Sequence, residues 1–176
     1  MINIKQHKIN FFIKGFTVFE GKKYTDLVNL NTIEWNFPGT DNDYHPTGDT
    51  TQLDKALMAI HFNISEEIVQ PVFGSHIIGD RQIWEGIYNK ASEWHNDIEE
   101  CDFFFILYFS EMKKYKQGEI QFKTDKEIWT FYPSIGSLVL INNDTKFQHR
   151  AGKTDRQRIQ ASFYFNLKNE NNNSIN

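Results

Sequence analysis

Seven consecutive apolar residues, Phe103-Phe104-Phe105-Ile106-Leu107-Tyr108-Phe109, stand between charged Asp102 and polar Ser110-Glu111. The run is far too short to span a membrane. It has no polar alternation, so neither of its sides can face water. It suits a central strand buried on both faces, with a buried helical turn as the competing reading. A strand of that kind needs neighbours on both edges and a packed layer on each face. The segments around it supply them. Gln82 to Tyr88 has strand composition, and Glu119 to Lys123 alternates polar and apolar residues. Glu127 to Tyr132, Ser137 to Asn142, Lys146 to Ala151 and Arg158 to Asn166 complete the series. Turn-forming residues separate them at Lys113 to Gly118, Asp125-Lys126, Pro133 to Gly136 and Asn142 to Thr145. The aromatic content, 16 Phe, 7 Tyr and 4 Trp, favours strands over helices.

The N-terminal half is less regular. Ile2 to Phe19 reads as one or two short strands broken by Gly15, and Thr25 to Trp35 is ambiguous. Pro38 to Asp49 reads as a polar loop. Thr51 to Phe62 is the clearest helix. Thr51 is its N-cap, Asp54 follows three residues on, and Leu53, Ala56, Leu57 and Ile60 form an apolar stripe. A second short helix starts at Ser65 and is limited or kinked by Pro71. One or two helices followed by about seven strands give a mainly β sandwich or barrel with flanking helices. The expected organisation is a single domain over 1–168, with helical support over about 1–80 and a barrel core over about 82–166. A flexible polar tail, 169–176, follows.

Composition narrows the function. The net charge of −4 lacks the basic footprint of a nucleic-acid binder. The single cysteine, Cys101, permits no intrachain disulfide and suits a reducing compartment. No stretch is long and apolar enough for a membrane span, and Met1 to Phe19 lacks a continuous apolar segment. The expectation is a cytoplasmic protein.

Two short stretches carry candidate chemistry: Trp94-His95-Asn96-Asp97, and Phe147-Gln148-His149 with Arg158 nine residues further on. On a strand, i and i+2 face the same way, so His95 and Asp97 can converge on one point. Two imidazoles and a carboxylate can hold a transition metal on one face and leave the other open. Alone, a His-x-Asp pair is also what an ordinary surface loop contains, and His149 could be one more packed or exposed histidine. His7, His45, His61 and His76 are assigned to that plainer role.

The order of the parts resembles the Fe(II)/2-oxoglutarate-dependent dioxygenases, and most closely their prolyl 4-hydroxylase-like branch. The matching parts are His95-Asn96-Asp97, Ile106-Leu107-Tyr108-Phe109-Ser110, Gly118-Glu119-Ile120, Pro133 to Gly136, His149 and Arg158. They cover roughly Ile83 to Asn166. The resemblance implies a double-stranded β-helix, a jelly-roll or cupin-like barrel with the metal at its open end. It implies that His95, Asp97 and His149 hold Fe(II). Arg158 would pair with the distal carboxylate of 2-oxoglutarate, Tyr108 would add a hydroxyl to it, and Tyr88 would face the pocket. With O2, such an enzyme hydroxylates a C–H bond and releases succinate and CO2. The substrate implied is a prolyl residue in a protein or peptide, or a free amino acid. Two rival readings are a nucleic-acid-directed dioxygenase, against which the acidic charge argues, and a non-catalytic cupin-like barrel binding metal or a small ligand. The second gives no reason for Arg158 and Tyr108 at their spacing.

Overall fold

A computed structural model of the chain describes residues 4–36, 43–88, 90–97 and 101–168. Among the described residues, ten strands form two antiparallel sheets. They are β1 (Phe16–Glu20), β2 (Glu34–Asn36), β3 (Asp43–Thr47), β4 (His76–Tyr88), β5 (Phe103–Tyr108), β6 (Ile120–Lys123), β7 (Ile128–Phe131), β8 (Ser137–Asn142), β9 (Gln148–Ala151) and β10 (Thr154–Leu167). The major sheet runs β1-β8-β5-β10-β4-β3-β2 and the minor one β7-β6-β9. The sheets face one another without closing, which is the mainly β, double-stranded β-helix expected from the sequence.

The apolar run takes the central position its composition demands. β5 lies between β8 and β10, and all six of its residues are buried. Its two faces enter different cores. Phe103, Phe105 and Leu107 join Leu138, Leu140, Phe163 and Phe165 under the helices. Phe104, Ile106 and Tyr108 join Val139, Ile141, Ile120 and Phe122 between the sheets. Each fully buried phenylalanine in such a layer would cost about 3–5 kcal/mol to truncate to alanine.

The N-terminal region departs from expectation. Residues Ile4–Lys14 form helix α1, not a strand. Its Phe11 is buried, with its ring edge-on to Phe73 and Phe103 at 5.0 and 6.1 Å. Packing of that one face overrides the strand preference of the Ile and Phe residues. Gly15 does not break two strands; it ends the helix. It adopts φ +80 and its N–H bonds the Phe11 carbonyl, and a Cβ there would overlap the Phe147 ring. Part of the expected polar loop, Asp43–Thr47, is strand β3 between β2 and β4. Residues 37–42 of that stretch and the tail 169–176 lie outside the described residues. Strands β1 to β3 thus extend the major sheet from within the first eighty residues, of which only part, Ile2 to Phe19, reads as strand from the sequence.

The long helix α2 covers Thr51–Ile64, with Thr50, not Thr51, at its N-cap position. Asp49 Oδ1 accepts from the Thr51 N–H at 3.0 Å, and the Thr50 hydroxyl donates to Asp54 at 3.0 Å. Leu57, Ile60, His61 and Ile64 are its buried residues. A π-helical turn, Ser65–Val69, follows, with the Gln70 N–H on the Ser65 carbonyl. Pro71 follows at once, in the last helical segment, Gln70–Phe73, and the helix stops two residues after it. No helix among the described residues is long and apolar enough to cross a membrane.

Candidate metal centre

His149 sits on β9 at the end of the minor sheet, 6% exposed. His95 lies outside the named strands but opposite His149 in an isolated antiparallel bridge. The His95 N–H donates to the His149 carbonyl at 3.1 Å, and the His149 N–H to the His95 carbonyl at 2.9 Å. These reciprocal bonds hold the two imidazoles side by side, 4.4 Å between ring centroids. Asp97 is not on a strand, so the convergence owes nothing to strand parity. Its carboxylate approaches His149 Nε2 at 3.4 Å and His95 Nε2 at 4.0 Å. One ligand atom from each of the three residues lies within 4.8 Å of the others. A metal bonded at about 2 Å to each needs them about 3 Å apart, a small contraction. No other such group of His, Cys, Asp or Glu occurs among the described residues.

The local chemistry is set for a cation. His95 Nδ1 is 2.9 Å from the Glu93 carbonyl, which can only accept, so Nδ1 carries a proton and Nε2 is the nitrogen turned toward Asp97. Burial pushes the Asp97 pKa up, but the hydrogen bond to His149 and the charges of His149 and His95 outweigh it. They hold the carboxyl below its usual range.

Arg158 enters the same cavity from β10. It is 2% exposed, and among the described residues its Nε and Nη1 have no hydrogen-bond partner. Its guanidinium lies over the Tyr88 ring, 4.4 Å from the centroid. The Tyr88 hydroxyl end packs back onto Gly86, where a Cβ would overlap it. Gly86 is the register partner of Arg158, so the glycine makes room for the ring beneath the cation. Tyr108, fully buried on β5, lies opposite Gln160. Burial raises its phenol to about 12, Tyr88 adds to this, and the Arg158 charge opposes it, so the hydroxyl is neutral and able to donate. Arg156, two residues before Arg158, is exposed and stacks on Tyr115 at 3.7 Å.

All six residues singled out from the sequence, His95, Asp97, His149, Arg158, Tyr108 and Tyr88, line one cavity of about 360 Å³. That is within the range of small-molecule sites. Trp84, Gln82 and His45, none of them singled out as a site residue from the sequence, also line it. Gln82 and Trp84 alternate with buried Ile83 and Glu85 along β4, a parity signal that could have found them. His45, given above the plain role of a packed or exposed histidine, reaches it from β3.

No family model and no curated protein matches the sequence. Solved structures do match the fold. An oxidoreductase of the 2OG-Fe(II) oxygenase family from Burkholderia pseudomallei is 11% identical with TM-score 0.70, covering 93% of this chain and 90% of that one. HygX from Streptomyces hygroscopicus, solved with nickel, 2-oxoglutarate and hygromycin B, is 10% identical with TM-score 0.71 over 93% of this chain and 87% of its own. A prolyl hydroxylase from Trichoplax adhaerens, in complex with a hypoxia inducible factor peptide fragment, is 10% identical. Its TM-score is 0.62, over 92% of this chain and 88% of its own. The chain shares their fold.

Two features of the site fit a metal and a carboxylate cosubstrate. The donor set is two imidazoles and one ionised carboxylate with an open side toward the cavity. The buried guanidinium lacks an acceptor for two of its nitrogens, and a dicarboxylate would supply one.

Proposed function

We propose that this chain is an Fe(II)- and 2-oxoglutarate-dependent dioxygenase that hydroxylates a C–H bond. The observation that carries the reading is the buried, unpaired edge of Arg158 in the cavity that also holds the His95, Asp97 and His149 cluster. A cupin-like barrel that only bound a metal would have no use for a buried cation there, and such a cation is costly without an anion.

In this reading His95, Asp97 and His149 hold the iron. Arg158 binds the distal carboxylate of 2-oxoglutarate, and Tyr108 donates its hydroxyl to the same group. With O2, the loaded centre supplies the oxidising power for C–H hydroxylation and releases succinate and CO2. The chain's residues do the rest. Tyr88 supports the guanidinium from below, and the apolar side chains of Phe104 and Ile106 shield one wall of the cavity. The resemblance to the prolyl 4-hydroxylase-like branch puts a prolyl residue of a peptide or protein first as substrate, with a free amino acid or other small molecule beside it.

The test is succinate release with Fe(II), 2-oxoglutarate and a panel of proline-containing peptides, free amino acids and single-stranded DNA. Asp97→Ala should abolish release and metal binding while leaving the far-ultraviolet circular dichroism unchanged. Succinate production by that variant at the wild-type rate would refute the assignment.

A further inference from the structure

Two members of the cluster are held by the sheet, and the third is not. His95 and His149 exchange two backbone hydrogen bonds. Asp97 stands two residues beyond that bridge, outside any strand. Its main chain is held instead by a side chain from a distant part of the sequence. Asn143 follows β8 directly on the connection to β9 and is 2% exposed. Its Nδ2 donates to the Asp97 carbonyl at 3.1 Å, to the Cys101 carbonyl at 3.1 Å and to the Cys101 sulphur at 3.1 Å. The Cys101 N–H also points to the Asp97 carbonyl, at 3.4 Å, and the Asn143 N–H bonds the Asp102 carbonyl at 3.1 Å.

The orientation of this carboxamide is fixed by its surroundings. Turned over, its oxygen would face two carbonyl oxygens and a sulphur, none of which can donate except the weak thiol. The other end has no partner among the described residues: Asn143 Oδ1 is buried without a hydrogen bond. What the asparagine contributes is the grip on the Asp97 peptide.

We infer that Asn143 is a positioning residue for the metal centre: its carboxamide ties the Asp97 and Cys101 carbonyls together and so fixes the Asp97 carboxylate against His149. The inference rests on the proposed metal-binding role of the cluster. Without the tie, His95 and His149 remain in place through their backbone bonds, and Asp97 loses its register with them. Metal affinity then falls although the fold persists. Groups that orient metal ligands from behind typically control 10- to 100-fold in affinity, and a loss in that range is expected here.

The experiment uses the full chain and Mn(II), followed by the electron paramagnetic resonance signal of the free ion, with urea unfolding as a parallel measure of stability. Asn143→Ala should weaken Mn(II) binding about 10- to 100-fold. Asn143→Ser, a milder truncation whose hydroxyl is too short to reach Asp97, should do the same if the alanine variant folds poorly. Val139→Ala, which truncates a fully buried apolar side chain on β8, serves as the stability control and should lower the urea midpoint without moving Mn(II) affinity. Wild-type affinity in folded Asn143→Ser, or an equal loss in Val139→Ala, overturns the positioning role. Failure of the wild-type chain to bind Mn(II), or binding that survives Asp97→Ala, overturns the metal-centre reading and this inference with it.

Discussion

Replacing Arg158 with methionine should stabilise the ligand-free protein and remove most of its response to 2-oxoglutarate. The methionine retains much of the apolar stem that Arg158 packs into the sheet, and removes the charge. A buried cation without an anion carries an effective penalty of several kcal/mol. The Tyr88 ring at 4.4 Å returns about 2 kcal/mol of that when the pair is desolvated. The net relief is about 1–3 kcal/mol, and at about 2–4 °C per kcal/mol for a chain of this size the melting temperature rises by several degrees. With Mn(II) present, 2-oxoglutarate at a hundred times its dissociation constant should stabilise the wild type by about 2.7 kcal/mol. The variant loses about 2–5 kcal/mol of binding, so the same concentration should stabilise it by less than about 1 kcal/mol. Thermal unfolding of both proteins, with and without 2-oxoglutarate, measures each quantity. Exposed Arg156, replaced by alanine, should leave the 2-oxoglutarate response intact. If Arg158→Met melts lower than wild type and keeps its shift, or Arg156→Ala loses its own, the guanidinium at position 158 is a structural group and the cosubstrate lies elsewhere.

Two further outcomes follow from buried positions elsewhere in the major sheet and its helical layer. His61 is buried and its Nε2 bonds the Tyr164 carbonyl at 3.1 Å; burial is the main reason its pKa falls to about 4, with Arg81 and His76 adding to it against the Tyr164 carbonyl and Asp80. The unfolded chain takes up this proton at about pH 6.5, before the folded one, so stability should be full above about pH 6.5 and fall by roughly 3 kcal/mol toward pH 4. His61→Gln should flatten that slope in urea unfolding measured across this range; an unchanged slope would assign it to other groups. Gly86→Ala should push Tyr88 out from under Arg158 and weaken 2-oxoglutarate binding by the value of a cation–π contact, about 0.5–2 kcal/mol or roughly 2- to 30-fold. In a Tyr88→Ala background the same change should add little, and full additivity in calorimetric titrations would mean the two residues act independently.

How far the sequence discloses this architecture depends on where each element draws its stability. β5 is legible because a strand buried on both faces must be apolar throughout, and Phe103–Tyr108 is. The histidines and Arg158 are legible through their order and spacing. Helix α1 is not, because its residues favour strand locally and only the packing of Phe11 on Phe73 and Phe103 selects a helix. β3 is hidden by Pro46, which is tolerated there because it pairs toward the short edge strand at Trp35. Parity places His95 and Asp97 together for the wrong reason. Their convergence depends on a one-residue bridge and on the Asn143 side chain, and neither leaves a periodic trace. The two arginines, equal by alternation, are separated in space by a shift in the β10–β4 register between Thr154 and Arg158.

The bridge between His95 and His149 also sets the order of events during folding. The two residues are distant in the chain, and β5 to β8 lie between them. Closing that long loop costs entropy that local segments cannot repay, so the pair forms only after the intervening strands have docked. A metal that requires both imidazoles therefore selects chains that have already completed the minor sheet. Its uptake would mark the end of folding, not its nucleus, and a truncated or stalled chain would be left without the means to acquire it.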